Sequence, residues 1–183
     1  IKYKRADNKL INPDHRPLDI DYDRYVTIKN NLRKSNYNPK KLYKSSLFNV
    51  VDVGFNSIFL RANKDLVSIL KNFNLDTLSI SKYIKITEKN ILKLFDKKKG
   101  NFFSLDIKNK KKIEIPSITN YFILFADLKN EKINNKLIKN LKKHNQKEKY
   151  FFSSIKPNHK SFEEKRYWRG PVWINCNWIL YKG

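Results

Sequence analysis

Methionine is absent from this 183-residue chain, cysteine occurs once, glycine four times and tryptophan three times. The lone cysteine, Cys176, excludes an internal disulfide framework. It lies in an apolar run, so it reads as a small buried residue rather than a nucleophile. No uninterrupted apolar stretch approaches the roughly 18 residues of a membrane span. The histidines (His15, His144 and His159) are scattered without metal-ligand spacing, and Ser, Cys and His assemble into no nucleophilic motif. The chain starts at Ile1, contains no methionine and stops at Gly183 inside an apolar periodic run. It reads as an internal fragment of a longer protein, so the missing signal peptide is uninformative.

Acidic residues are also scarce: 17 Asp and Glu face 40 Lys and Arg, a net charge of +23. Such a balance ordinarily suggests nucleic acid or an anionic surface. Here the excess is overwhelmingly lysine, with seven arginines in all, spread along the whole chain and rising together with asparagine and isoleucine. That pattern accompanies an AT-rich coding sequence, and no nucleic-acid-binding signature goes with it. A solvated lysine surface is the favoured reading.

Apolar periodicity organises the chain into helices. Asn12-Pro13-Asp14 is a turn and Arg16-Pro17 an extended dipeptide. Asp19 is placed to cap a helix over about 20–35, on whose face Tyr22, Tyr25, Ile28 and Leu32 fall. Asn36 to Lys40 breaks it. The strongest helical signal runs over 46–71, with Phe48, Val51, Phe55, Phe59, Ala62, Leu66, Ile69 and Leu70 at three- and four-residue intervals. Gly54 inside it suggests a close helix–helix approach. A helix over 76–96 follows, then a small hairpin from Phe102–Ile107 and Lys112–Ile115. Pro116-Ser117 introduces a helix through "ITNYFILFADL", and 132–143 forms another. Residues 145–166 read as loop, and a last helix begins after Gly170, with Pro171 in its first turn. The expected fold class is all-α, built from antiparallel helix pairs with one short β-hairpin, in a single domain over 1–183.

Two stretches stand out from this plain background. In "HRPLDIDYDRY", Asp19, Asp21 and Asp23 suit the positive end of a helix. Arg16 and Tyr22 offer a guanidinium fork and a phenol, a pair suited to a small carboxylate or to sugar hydroxyls. "RYWRGPVWINCNWIL" holds all three tryptophans. Trp168 and Trp173 flank the Gly170-Pro171 turn, where glycine lets backbone approach a ligand. Flat indole faces beside hydrogen-bonding groups suit a sugar ring. Both tryptophans could equally serve as core; Trp178, deeper in the helix, is read as core. Glu163 and Glu164 form a tempting acid/base pair, but adjacent glutamates on a lysine-rich loop are usually solvated charge.

At "YWRGPVWINCNWILYKG" the sequence resembles glycoside hydrolase family 63, in particular its bacterial branch of mannosylglycerate and glucosylglycerate hydrolases. "RPLDIDYDRY", "VVDVGFNSIFLRANKDL" and "IEIPSITNYFILFADL" are similar to further blocks of that branch, in family order. The resemblance implies a partial (α/α)6 toroid and an inverting α-glycosidase, which needs an aspartic acid and a glutamate base separated by a water. Both carboxylates would lie outside residues 1–183, so the fragment alone would be inactive. It also implies substrate-binding roles for Arg16, Tyr22, Tyr167, Trp168, Gly170 and Trp173. Arg16 and Tyr22 would hold the glycerate portion, the others the pocket wall. In two places the sequence departs from its relatives. Leu18 replaces the usual threonine, and the loop before the tryptophan motif lacks their proline- and aspartate-rich sequence.

The expectation is therefore a cytoplasmic glycosidase of a small glycoside, with a carbohydrate substrate, no cofactor, no metal, no nucleic acid and no membrane. A homo-oligomer is compatible with it. An oligosaccharide α-glucosidase of the same family is the neighbouring alternative. A basic helical module for nucleic acid or polyanions is the alternative from another class, and a non-catalytic sugar-binding relative is a third.

Overall fold

A computed structural model describes residues 4–144 and 151–183. Six α-helices dominate them: α1 (Asp19–Lys34), α2 (Pro39–Ser45), α3 (Val53–Asn72), α4 (Leu78–Ile91), α5 (Glu131–His144) and α6 (Ile174–Lys182). Five two-residue strands lie between: β1 (Val50–Val51), β2 (Phe95–Asp96), β3 (Asn101–Phe102), β4 (Leu105–Asp106) and β5 (Lys111–Lys112). They form an antiparallel sheet in the order β1-β4-β5 and a separate β2-β3 pair. The expected hairpin exists as β4-β5, with Leu105 opposite Lys112. Phe102 belongs instead to the second pair, opposite Phe95.

Asp52 fixes where α3 begins. Its Oδ1 accepts from Phe55 N at 2.7 Å, and its Oδ2 accepts from Ser104 Oγ at 3.0 Å. Ser104 Oγ also accepts from Val53 N, which ties the helix start to the small sheet. The cap corrects the expected helix over 46–71: before Asp52 the chain pairs as β1 rather than turning as helix. Asn38 and Pro39 likewise launch a short helix, α2, where the sequence suggests only a break. In α1, Asp19 is the first helical residue and Leu18 the cap, while the Asp21 carboxylate accepts from Leu18 N at 3.3 Å. The helix expected over 76–96 ends as α4 at Ile91, followed by one tight turn and β2.

The main core gathers Val53, Leu60, Ile91, Leu94, Phe102, Tyr121, Ile123, Ala126, Leu128 and Leu137. Its centre is "ITNYFILFADL", which forms one 3-10 turn (Ile118–Tyr121) and further turns rather than the expected α-helix. Side chains buried around most of its circumference demand contacts on every side, which a compact turn wedged between helices supplies. Gly54 faces this turn. A Cβ there would lie 2.9 Å from Thr119 Cβ, so the close approach is helix to turn, not helix to helix.

α3 is apolar on two opposite faces. Val53, Ser57 and Leu60 are buried, with Lys64 and Val67 half-buried on the same side. Phe55, Phe59, Ala62, Leu66, Ile69 and Phe73 form a second stripe that is exposed throughout. A step of two residues rotates about 200° around a helix, so the two sets point apart. α6 repeats the arrangement: Cys176 and Asn177 are buried, while Ile174, Trp178 and Tyr181 are 81, 55 and 84% exposed. Within the described residues Trp178 therefore stands outside the core, contrary to the expectation. With Cys176, Asn177 and part of Leu180 facing inward, position 178 must face outward, and Lys182 Nζ lies 5.9 Å from its ring centre. No helix among the described residues is long and apolar enough to cross a membrane.

Candidate functional site

The two dense stretches meet in space. Asn12 caps the turn Pro13–His15, with Oδ1 accepting from Asp14 N at 2.9 Å, and Arg16-Pro17 then runs extended into α1. Across from it, Arg166 Nη1 donates to Arg16 O at 2.7 Å, joining residues 150 positions apart. The Arg16 guanidinium lies 4.8 Å from the centre of the Tyr167 ring. Its cation faces the negative π cloud of the phenol, a favourable placement where water is partly excluded. Tyr22 sits under a second guanidinium, with Arg5 Cζ 3.9 Å from its ring centre, and packs 5.8 Å from Tyr25.

Tyr167 leads an aromatic cluster. It meets Trp173 edge-on at 5.5 Å and Trp168 edge-on at 6.0 Å, while Trp168 and Trp173 stack at 4.6 Å with their planes 19° apart. The stack separates two roles. Trp173 is the buttress: it packs beside Cys176 and Phe122, and its Nε1 donates to Tyr167 O at 3.3 Å. Trp168 keeps 42% of its surface and lines two depressions. The smaller, about 110 Å³, lies between Pro17, Asp21 and Tyr25 of the first stretch and Arg166, Trp168 and Arg169 of the second. The larger is an open groove of about 940 Å³ running from Trp168 and Arg169 past Asp52, Ser104 and Thr119. Burial pushes the Tyr25 phenol up, aided by the Asp21 carboxylate.

Glu163 holds the loop together. Its carboxylate accepts from Arg169 Nη1 at 2.7 Å and from Arg166 Nε at 3.0 Å, and these hydrogen bonds hold it below the usual carboxylate range. Its backbone N donates to Arg169 O and its carbonyl accepts from Arg166 N. A residue that reads in the sequence as solvated charge is thus the clamp that orients two arginines at the depression. Its downshifted carboxyl is already occupied, which suits anchoring and not proton donation. Gly170 serves the same clamp: a Cβ there would lie 2.1 Å from Glu163 O, so the approach that glycine permits is to the chain's own backbone. Pro171 precedes α6 rather than opening it, and its carbonyl accepts from Ser154 N at 3.2 Å.

Asn177 also escapes sequence reasoning. It accepts from Phe152 N at 2.9 Å and donates to Phe152 O at 3.0 Å and to Trp173 O at 2.9 Å, stitching loop, tryptophan and helix together. A polar residue inside an apolar helical run is the available signal, because buried amides need partners. The loop reading of residues 145–150 lies outside the described residues. Among the described residues no group of three or more His, Cys, Asp or Glu is placed to hold a metal ion.

An arginine-flanked aromatic wall on a mostly helical frame invites comparison with proteins that handle sugars. The family description "Mannosylglycerate hydrolase MGH1-like glycoside hydrolase domain" matches residues 1–183. The chain belongs to this glycoside hydrolase family. It is 36% identical over 181 residues to the mannosylglycerate hydrolase of Thermus thermophilus, covering 99% of this chain and 44% of that protein. It is 25% identical over 188 residues to the glucosylglycerate hydrolase of Mycolicibacterium hassiacum, covering 98% of this chain and 42% of that one. A crystal structure of the family 63 mannosylglycerate hydrolase from Thermus thermophilus with Tris and D-glycerate superposes with a TM-score of 0.94 at 36% identity. That match covers 98% of this chain and 44% of the crystallised one. The chain thus spans less than half the length of these relatives.

Proposed function

We propose that the protein containing this chain is an inverting α-glycoside hydrolase acting on a glycerate glycoside, mannosylglycerate or glucosylglycerate. The observation that carries this reading is the Arg16 guanidinium lying against Tyr167, at the head of the stacked Trp168–Trp173 pair. A cation beside an indole wall matches a substrate with a carboxylate at one end and a hexose at the other. In this reading Arg16 and Tyr22 receive the glycerate, and Tyr167, Trp168, Gly170 and Trp173 shape the sugar side. The catalytic aspartic acid and the glutamate base are supplied from outside residues 1–183. The names of the relatives, mannosyl- and glucosylglycerate hydrolases, support the substrate class.

Residues 1–183 are, in the same reading, part of a larger catalytic domain with an (α/α)6 toroid. The exposed stripes on α3 and α6 support it. A helix apolar on opposite sides belongs between two layers, and the described residues supply one. The test is hydrolysis by the full-length protein. Release of hexose from mannosylglycerate or glucosylglycerate, as the inverted anomer by NMR, is expected. Turnover that instead rises with oligosaccharide length would favour the α-glucosidase alternative. No release from any of these substrates would refute the glycosidase reading.

A further inference from the structure

The segment before α1 carries an ion cluster centred on Asp7. Its Oδ2 accepts from Arg16 Nε at 2.9 Å and from Arg5 Nη2 at 2.8 Å, and its Oδ1 accepts from Arg5 Nε at 3.2 Å. Arg5 also donates Nη1 to Asp19 Oδ1 at 2.6 Å. The side chains of Arg5, Asp7 and Arg16 keep only 11, 15 and 19% of their exposure. Hydrogen bonds from Arg5, then from Arg16 and Tyr22, hold the Asp7 carboxyl well below its usual range.

A guanidinium binds a carboxylate well only when its planar fork is aimed. Arg16 has that aim set from two directions. Asp7 grips the Nε edge, and Cζ lies over the Tyr167 ring, 4.8 Å from its centre. Asp7 would be a poor neighbour for an incoming anion if its charge were uncompensated. The two-point contact from Arg5 supplies the compensation, and the exposed Asp19 carboxylate takes the remaining edge of Arg5. Two guanidiniums and two carboxylates thus balance, and Asp7 is not left as a bare negative charge beside Arg16. Arg5 has a second task, since its stacking on Tyr22 seats the other half of the pair.

We propose that Asp7 is a positioning residue that aims Arg16 at the substrate carboxylate, with Arg5 as its counter-ion. This rests on the glycerate reading above. The experiment uses the full-length protein and compares a glycerate glycoside with the corresponding glycoside of uncharged glycerol. Asp7→Asn is expected to raise KM for the glycerate glycoside by about tenfold or more, the worth of one misplaced charge-assisted hydrogen bond. Its effects on kcat and on the glycerol glycoside are expected to be much smaller, and Asp7→Glu is expected to recover part of the loss. Arg5→Met, which leaves Asp7 uncompensated, is expected to raise the same KM selectively, and it carries the test if Asp7→Asn does not fold. If Arg16→Ala abolishes the preference for the charged substrate while the Asp7 and Arg5 variants act equally on both substrates, Asp7 has no positioning role. If Arg16→Ala leaves that preference intact, the glycerate reading itself falls, and this proposal with it.

Discussion

Gly170 tolerates no side chain, because its Cβ position is filled by the carbonyl of Glu163. Gly170→Ala is expected to destabilise the full-length protein by about 2–3 kcal/mol, the usual cost of forcing backbone apart, read by urea denaturation. Glu163→Gln leaves that backbone contact but weakens the hold on Arg166 and Arg169. Because these pairs are partly exposed, the expected stability loss is about 1 kcal/mol, with a larger effect on substrate affinity than on melting temperature. His144 supplies a pH signature. Buried between Tyr121 and Phe152, it is pushed down to about 4 by burial and then by the nearby Lys156 charge. The unfolded chain takes up this proton near pH 6.5 and the folded chain does not until about 4. Stability is therefore present in full above that window and falls as pH drops through it, by at most about 1.4 kcal/mol per pH unit. Denaturation midpoints at pH 7, 5.5 and 4 should decline less steeply for His144→Phe than for the parent.

Among the elements, α1 is legible because Arg16-Pro17 sets a boundary before its apolar spacing. The helix expected over 132–143 forms as α5 over Glu131–His144, with Asn130 Oδ1 accepting from Ile133 N at its start. Residues 46–52 mimic helix because Phe48 and Val51 continue the spacing of α3. Asp52 stops the helix by capping Phe55 N and by its partnership with Ser104, 52 residues away. "ITNYFILFADL" misleads because burial on every side imitates helical periodicity over so short a run. In the site, the aromatic motif and Arg16 are legible as residue types. Glu163 and Asp7 are not, since an ion pair is invisible until both partners are placed. The doubled apolar face of α3 carries its own prediction. Leu60→Ala removes a core contact and is expected to cost about 2–5 kcal/mol. Phe59→Asp lies on the exposed stripe; it is expected to destabilise the full-length protein severely while improving the solubility of the isolated 1–183 segment. Equal tolerance of Phe59→Asp in both would mean that nothing covers the stripe.

For the whole molecule, the lysine-rich surface and the arginine-flanked aromatic site point to different partners. If the charge of +23 served nucleic acid, binding would be tight and would fall steeply with salt. Weak binding, indifferent to sequence, is the expected outcome of a fluorescence-anisotropy titration. The glycosidase reading draws instead on seven arginines, of which Arg5, Arg16, Arg166 and Arg169 gather around Tyr22, Tyr167 and Trp168. That concentration of guanidinium in a lysine-rich chain is what a recognised carboxylate requires, because only the planar fork pairs with it at two points. The most direct test is the Arg16→Ala variant of the full-length protein, assayed for kcat/KM on a glycerate glycoside and on its uncharged glycerol counterpart. The account predicts a loss of about tenfold or more confined to the charged substrate. An equal effect on both substrates, or none on either, would contradict it.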